Sequence, residues 1–271
     1  MRLAIDHLTR YHFDGPVTHG LQRLRLTPPS AHGQQVIEWA LTLDGGRVEA
    51  EHRDQHGNHV TLVSLDPGTD TLAIRSAGRV EVEDRHGIIG RHAAPLPLWY
   101  YLDPTPATRP GPKIRALAGA RGGGDDGPLL RLHALSDAIR DAVAYRLGTT
   151  AADTSGEEAA TAAEGVCQDH AHIFIAAARL LGFPARYVSG YLLIDGRTHQ
   201  DAGHGWAEAH VEALGWVGFD ISNGVSPDDR YVRLATGRDY AEAAPVKGLT
   251  FGARDQLLHV TLAVEQQLVE Q

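Results

Sequence analysis

Cys167 is the only cysteine in the chain, and it stands where a long helix is predicted to begin. The N-terminus of a helix has unpaired backbone N–H groups and a partial positive charge, and both favour a thiolate over a thiol. A cysteine in this position is therefore expected to be a nucleophile, and Gly165 allows the backbone to turn into the helix. The alternative is structural, since a lone cysteine is often a small buried apolar residue.

A cysteine nucleophile needs a base and a group that orients the base. His204 begins residues 204–211, a segment typical of a strand with alternating faces. Asp220 ends the next strand-like run, and the turn between the two runs would bring it back beside His204. The sequence therefore predicts a Cys–His–Asp triad in which Asp220 fixes the imidazole tautomer and stabilises the imidazolium. Glu208 lies on the same strand face as His204 and ranks below Asp220 for this role.

Two helices and several strands are predicted to position these side chains. The nucleophile's helix runs from about residue 167 to residue 181 with a buried apolar stripe, and Gly182 and Pro184 stop it. An earlier helix is predicted over residues 129–146. Further predicted elements are a short helix at 113–120 and strands at 185–194, 206–211, 216–221 and 257–264.

The chain is predicted to have three parts. Alternating apolar residues separated by glycine-containing turns indicate a small antiparallel sandwich or sheet, a β-rich N-terminal domain, over residues 1–95. Prolines and a glycine-rich run at 122–128 interrupt residues 96–128, which are interpreted as a connection. Residues 129–271 would then form the catalytic core.

Four motifs, taken in order, resemble those of the bacterial transglutaminase-like superfamily. They are residues 165–172 (GVCQDHAH), 184–191 (PARYVSGY), 204–208 (HGWAE) and 215–220 (GWVGFD). Residues 24–28 (LRLTP) and 54–58 (DQHGN) resemble the β-rich domain that precedes this core in many bacterial members, and residues 237–240 (GRDY) and 245–248 (PVKG) fit the C-terminal part of the core. Each motif is weak alone, but the four core motifs in order are highly specific, and the similarity covers nearly the whole chain.

The resemblance implies an α+β, papain-like fold, a helix packed on an antiparallel sheet, with Cys167 as nucleophile, His204 as base and Asp220 as orienting residue. Members of the superfamily hydrolyse peptides or transfer acyl groups to amines. The expected activity is a cysteine-dependent amide hydrolase, a peptidase, that acts on a peptide or protein through a thioester acyl-enzyme. Two alternatives stay open: transglutaminase-type acyl transfer to amines on the same triad, and a catalytically silent binding or scaffold module.

Two positions depart from the family pattern. Gly205 stands where alanine is usual, and this departure is expected to loosen the backbone beside the base. Ile221 and Ser222 stand where Pro-Thr is common, which is expected to leave Asp220 less rigidly held.

Four further residues are candidates for substrate binding or for tuning the nucleophile: Gln168, Asp169, His170 and Trp206. Three of them have a structural alternative. Asp169 is at a position where acids commonly cap a helix, His170 could pack within the helix, and a strand tryptophan such as Trp206 is usually part of a core. Gln168 is one guess for the second donor to an oxyanion.

Composition limits the partners and the location. The net charge of −9 argues against nucleic acid, because phosphate binding needs clustered cations. No cofactor is expected, and a metal is not expected because a His-Glu-x-x-His pattern is absent and because His170 and His172 point to different helix faces. Apolar runs are too short to cross a bilayer or form a signal peptide, which predicts a cytoplasmic protein that is not in a membrane. The sequence does not indicate the oligomeric state.

Overall fold

The computed structural model describes residues 1–31, 33–121, 127–253 and 255–267. The predicted α+β architecture is confirmed, with helices packed on an antiparallel sheet and a β-rich region before them. Residues 122–126, which make up most of the predicted glycine-rich run, lie outside the described residues.

The first third of the chain forms seven strands. They are β1 (Arg2–Phe13), β2 (His19–Leu24), β3 (Gln34–Asp44), β4 (Gly46–Arg53), β5 (His59–Leu65), β6 (Thr71–Val82) and β7 (Ile88–Gly90). Every second residue of β1 is buried, from Leu3 to Phe13, because alternate side chains of a strand point to opposite faces and only one face meets the core. β1 is not among the strands predicted from the sequence, although its alternation is regular.

Helices dominate the middle of the chain. They are a short 3-10 helix (Leu98–Leu102), α1 (Pro112–Arg121), α2 (Pro128–Ala142), α3 (Gly156–Ala162), α4 (Cys167–Leu180) and, further along, α5 (Tyr240–Ala243). The predicted helix of Cys167 is α4, and nearly all of its residues are buried because α1, α2 and α3 pack against it together with the sheet. The unpredicted α3 begins with a capping box, in which Ser155 and Glu158 satisfy each other's backbone N–H groups.

The remaining nine strands of the described residues are divided among four sheets, one of which supports α4. They are β8 (Ala144–Tyr145), β9 (Glu164–Gly165), β10 (Ala185–Leu192), β11 (His199–Gln200), β12 (His204–Val211), β13 (Gly215–Phe219), β14 (Tyr231–Gly237), β15 (Val246–Phe251) and β16 (Gln256–Gln266). The supporting sheet is antiparallel, in the order β14-β10-β12-β13-β7, and α4 packs across β12 and β10.

The predicted hairpin of β12 and β13 is confirmed, with Ala207 opposite Phe219 and Val211 opposite Gly215. Gly215 closes it with a φ of 80°, a conformation that favours glycine. A Cβ there would also lie 2.1 Å from the carbonyl oxygen of Gly90 on β7. The hairpin therefore needs glycine at this turn, and its register sets where Asp220 lies relative to His204.

The last two strands return to the N-terminal region. β16 pairs with β1 in a sheet of order β11-β16-β1-β6-β3, and β15 pairs with β2 in a sheet of order β15-β2-β5-β4. Apolar side chains of both sheets share one core with Val232 and Leu234 of β14. The division at residues 95 and 128 stays a prediction, and it did not anticipate that the C-terminal strands pair with β1 and β2.

Candidate active site

Cys167 is the first residue of α4 and is half-buried. The start of the helix is fixed by Asp169, whose Oδ2 accepts hydrogen bonds from the Val166 backbone N–H at 2.8 Å and from the Thr150 hydroxyl at 2.7 Å. Gly165 is packed against this carboxylate, since a Cβ at residue 165 would lie 2.7 Å from the Cβ of Asp169. Glycine before the nucleophile and the acid after it therefore set the position of the sulfur together.

His204 is the first residue of β12, and its imidazole lies between Asp220 and Cys167. Its Nε2 is 2.7 Å from Asp220 Oδ2. Burial lowers the pKa of His204, but hydrogen bonding and charge from Asp220 and Cys167 more than offset it and raise the pKa to about 10. With Nε2 committed to Asp220, Nδ1 is the ring nitrogen left for the sulfur. The imidazole is therefore protonated near neutral pH in this arrangement.

Asp220 follows β13 and is fully buried. Besides His204, its Oδ2 accepts hydrogen bonds from Asn223 Nδ2 at 2.6 Å and from the Tyr231 hydroxyl at 2.8 Å. Burial raises the pKa of Asp220, but hydrogen bonds from His204, Asn223 and Tyr231 more than offset it and lower the pKa below its ordinary value. The carboxylate is therefore ionised when it contacts the imidazole.

The loop after Asp220 is better anchored than Ile221 and Ser222 led us to expect. The Asp220 N–H donates to the Val225 carbonyl at 2.9 Å, and the Asp220 carbonyl accepts from the Gly224 N–H at 2.8 Å. Ser222, which stands where threonine is common, hydrogen-bonds to His170. These contacts replace the rigidity that a proline would give, so the expectation of a loosely held Asp220 is wrong.

His170 hydrogen-bonds to the residue that follows α2 and to the loop that follows Asp220. Its Nε2 donates to the Val143 carbonyl at 3.0 Å, so its Nδ1, 2.8 Å from Ser222 Oγ, accepts. Burial lowers the pKa of His170, which keeps the ring neutral. His170 thus links the end of α2 to the loop after Asp220, and its direct role in substrate binding stays a prediction.

The other three candidates lie in different surroundings. The Gln168 Nε2 donates to the Ala152 carbonyl at 3.0 Å. The buried Trp206 packs edge-to-face on Tyr231, with 5.5 Å between ring centroids, and its ring lies 6.1 Å from that of His204. Asp169 is fully buried and caps α4. Their substrate-binding or tuning roles stay predictions.

Gly205 makes room for a tyrosine instead of leaving an open space. An ideal Cβ at Gly205 would lie 1.9 Å from the hydroxyl oxygen of Tyr187 on β10. Tyr187 is buried, burial raises its pKa, and the charge of Cys167 raises it further. The hydroxyl therefore fills the volume that an alanine methyl would take beside His204, and the expected loosening of the backbone stays a prediction.

Glu208 does not orient His204. Its buried carboxylate accepts from Arg186 Nε at 2.7 Å and from Arg233 Nη2 at 3.1 Å, and Arg233 Nε lies 2.7 Å away. Asp220 is therefore the carboxylate on the imidazole.

Sequence reasoning missed the donors around Asp220. The contact of Asn223 with Asp220 could have been predicted, because Asn223 lies three residues after Asp220 in an Asn-Gly turn. Tyr231 comes from β14, and no local pattern places it beside the aspartate.

The described part of the chain contains neither a cluster of metal-ligating side chains nor a helix that could span a membrane. No group of three or more His, Cys, Asp or Glu side chains there comes together as a metal site would require. No helix there is both long enough and apolar enough to span a bilayer.

Comparisons with known proteins agree with this architecture. Residues 3–81 match the family model for the bacterial transglutaminase-like N-terminal region, and residues 115–221 match that for the transglutaminase-like superfamily. An uncharacterized protein of Mycobacterium leprae is 30% identical over 264 residues, which cover 93% of this chain and 94% of that protein. One of Mycobacterium tuberculosis is 29% identical over 293 residues, covering 92% and 88%.

One solved structure shows the same fold over the whole chain. It belongs to a protein from Cytophaga hutchinsonii named a "putative cysteine protease", with a TM-score of 0.78 and 23% identity, and the match covers 100% of this chain and 92% of that one. The matched regions, the full-length relatives and the shared fold agree with each other. The chain therefore belongs to the transglutaminase-like superfamily and carries the bacterial N-terminal region of that family.

Proposed function

We propose that the protein is a cysteine-dependent amide hydrolase, a peptidase, with Cys167 as nucleophile, His204 as acid and base, and Asp220 as the residue that orients the imidazole. One observation carries the proposal: the His204 ring has a buried carboxylate on one nitrogen and the only cysteine of the chain as its other partner. The name of the Cytophaga relative, which refers to a cysteine protease, supports the same reaction class.

The reaction follows from the protonation states. The Cys167 sulfur attacks the carbonyl carbon of an amide, and the carbonyl oxygen takes the negative charge. His204 gives its proton to the leaving amine, and the C–N bond breaks to leave a thioester on Cys167. His204, now neutral, takes a proton from water, whose oxygen attacks the thioester, and the acid is released with the sulfur restored. Asp220 keeps the imidazole oriented in both steps.

The helix start offers a donor for the oxyanion. Cys167 is the first residue of α4, so its backbone N–H has no acceptor within the helix. A donor fixed in this way lowers the energy of the developing oxyanion without reorganising.

A surface groove that is linked to α4 through Thr150 suggests the substrate's charge. It encloses about 320 Å³ and is lined by Thr150, Asp153 and Glu158 among others, and none of its lining residues belongs to the triad. Thr150 is bonded to Asp169, which connects the groove to the residues around Cys167. Two carboxylates on this wall favour a cationic side chain in the substrate, in agreement with the acidic chain as a whole.

Alkylation tests the nucleophile directly, because all thiol label must go to Cys167. If the sulfur is ionised by His204, iodoacetamide should label the native protein at pH 6 much faster than a free cysteine, whose pKa is about 8.5. The His204→Gln variant should label slowly with an ordinary thiol pH profile. Equally slow labelling of the native protein would favour a silent binding module.

A second experiment separates hydrolysis from acyl transfer. The protein is incubated with a library of fluorogenic peptides that contain glutamine, with and without a labelled amine, and Cys167→Ala is the control. Peptide cleavage that is unchanged by the amine and lost in Cys167→Ala supports the peptidase. Stable incorporation of the amine would instead assign acyl transfer, and full turnover by Cys167→Ala would overturn nucleophilic catalysis.

A further inference from the structure

A second cavity lies outside the triad, between the N-terminal region and the supporting sheet. It encloses about 480 Å³, a volume within the range of small-molecule sites. Its walls come from residues 29–31, the turn at 53–58, residues 91–95 and strands β10, β13 and β14. The reaction proposed above uses none of these residues.

Four arginines line this cavity: Arg53, Arg91, Arg186 and Arg233. The chain as a whole has a net charge of −9, so a concentration of cations is not a consequence of composition. Among the described residues of the lining, the one carboxylate is Asp54.

Asp54 is not available to neutralise the cavity. Its Oδ2 accepts from Arg25 Nε at 2.9 Å and from Asn58 Nδ2 at 3.0 Å, while its Oδ1 accepts from the backbone N–H groups of His56 and Asn58. Arg25 is buried and does not line the cavity. The Asp54–Arg25 pair is therefore neutral and leaves the four lining arginines to be balanced by other groups.

Two of the four arginines share a single carboxylate. Glu208 pairs with both Arg186 and Arg233, so this buried cluster carries one surplus positive charge. The Arg186 guanidinium is held in place by Trp216, with its Cζ 3.9 Å from the ring centroid. Arg233 Nη2 donates to Glu208 at 3.1 Å. Its Nε lies 2.7 Å from the same carboxylate without a hydrogen bond, and its Nη1 makes no hydrogen bond within the described residues.

The other two arginines are exposed and have no acidic partner among the described residues. Arg53 donates to the Gly57 carbonyl at 2.9 Å, which leaves its charge unbalanced. Arg91 has no hydrogen bond or ion pair from its side chain within the described part of the chain. With the surplus charge on the buried cluster, the cavity therefore has about three uncompensated positive charges.

We propose that this cavity is a binding site for a small organic anion with several negatively charged oxygens, such as a phosphate ester or a di- or tricarboxylate. Guanidinium groups present paired N–H donors that match carboxylate and phosphate oxygens. Trp216, Pro95 and Leu234 provide an apolar surface for the carbon part of the ligand. The buried Arg186 and the half-buried Arg233, both paired with Glu208, bind the anion in the interior, and the exposed Arg53 and Arg91 bind it from the solvent side.

Calorimetric titration of the full chain tests the site, with pyrophosphate and citrate as probes at low ionic strength. We expect saturable binding of at least one probe with one site per chain. Tighter binding of pyrophosphate would indicate a phosphate ester as the natural ligand, and tighter binding of citrate would indicate a di- or tricarboxylate. Arg53→Gln and Arg91→Gln should each weaken it about tenfold, because a hydrogen bond to a charged group is lost. Both side chains are exposed, so neither variant should unfold.

Arg115→Gln is the matched control, because Arg115 is an exposed arginine on α1 that does not line the cavity. It should bind like the native protein. The proposal is overturned if neither probe binds at roughly 10 mM, or if Arg115→Gln weakens binding as much as Arg91→Gln. Because no step depends on the triad, Cys167→Ala should bind the probe unchanged whatever its activity.

Discussion

Two buried carboxylates form ion pairs at strand β12, one with a histidine that can lose its charge and the other with arginines that cannot. At the start of the strand, His204 meets Asp220, whose other partners are the neutral side chains of Asn223 and Tyr231. Four residues on, Glu208 meets two arginines. An arginine stays charged at any pH a protein encounters, whereas an imidazole can release its proton. The first pair is therefore suited to chemistry and the second to holding the fold and presenting charge.

The buried arginine cluster should give the largest effect on stability. Glu208→Gln would leave two guanidiniums without their counter-ion, and we expect the free energy of unfolding to fall by about 3–5 kcal/mol. Urea denaturation measures it. Glu81→Gln is the control, because Glu81 is half-exposed and 3.9 Å from Arg2, and it should cost no more than about 0.5 kcal/mol. Equal losses in both variants would contradict the comparison.

The two ion pairs should differ in their response to pH. The pKa of His204 is raised to about 10 in the folded protein, against about 6.5 for an unfolded histidine. Its contribution to stability is therefore complete below pH 6.5 and is lost as the pH rises towards 10. Between pH 7 and pH 10, the free energy of unfolding should fall more for the native protein than for His204→Gln. Parallel changes in the two proteins would mean that the imidazole is not charged in the folded state.

Replacing the other carboxylate should reduce activity more than stability. Asp220→Asn keeps the shape but removes the charge that stabilises the imidazolium, and we expect peptide turnover to fall at least about 100-fold. The pH dependence of Cys167 alkylation should move towards that of an ordinary thiol in the same variant. If Asp220→Asn were fully active while Glu208→Gln was inactive and well folded, the roles given to the two carboxylates would be reversed.

The smallest expected effect concerns the residue next to His204. Gly205→Ala puts a methyl group on the Tyr187 hydroxyl, 1.9 Å from the ideal Cβ, and should cost about 1–3 kcal/mol of stability together with part of the activity. The double variant Gly205→Ala, Tyr187→Phe should recover some of the loss, although the ring Cζ still lies 2.7 Å away. No loss in Gly205→Ala would show that the tyrosine moves freely.

Local sequence predicted the elements around the triad well. The apolar pattern of α4, its stop at Gly182, and the hairpin of β12 and β13 depend on neighbours in the chain, so they could be derived from composition and spacing. The ends were less accurate, since the helix predicted to residue 146 ends at Ala142. The short helix α3 was missed in a polar stretch, where its capping box was the available signal.

Contacts between distant segments could not be predicted in this way. The pairing of β16 with β1 joins residues more than 240 positions apart. The alternation of each segment predicts a strand, but it does not indicate which other strand pairs with it. The same limit applies to Tyr231 on Asp220, to Tyr187 over Gly205, and to the four arginines that come together from four separate segments of the chain.

The sequence by itself determined the chemical groups: one cysteine at a helix start, a histidine at a strand entrance and an aspartate at the end of the next strand. These follow from periodicity and turn residues, which are properties of short segments. Only the tertiary structure decided that Glu208 pairs with two arginines, which donors keep Asp220 ionised, and where unbalanced positive charge collects. The reason is that burial and the exact neighbours of a charge set its energy, and both are fixed only when distant segments pack together.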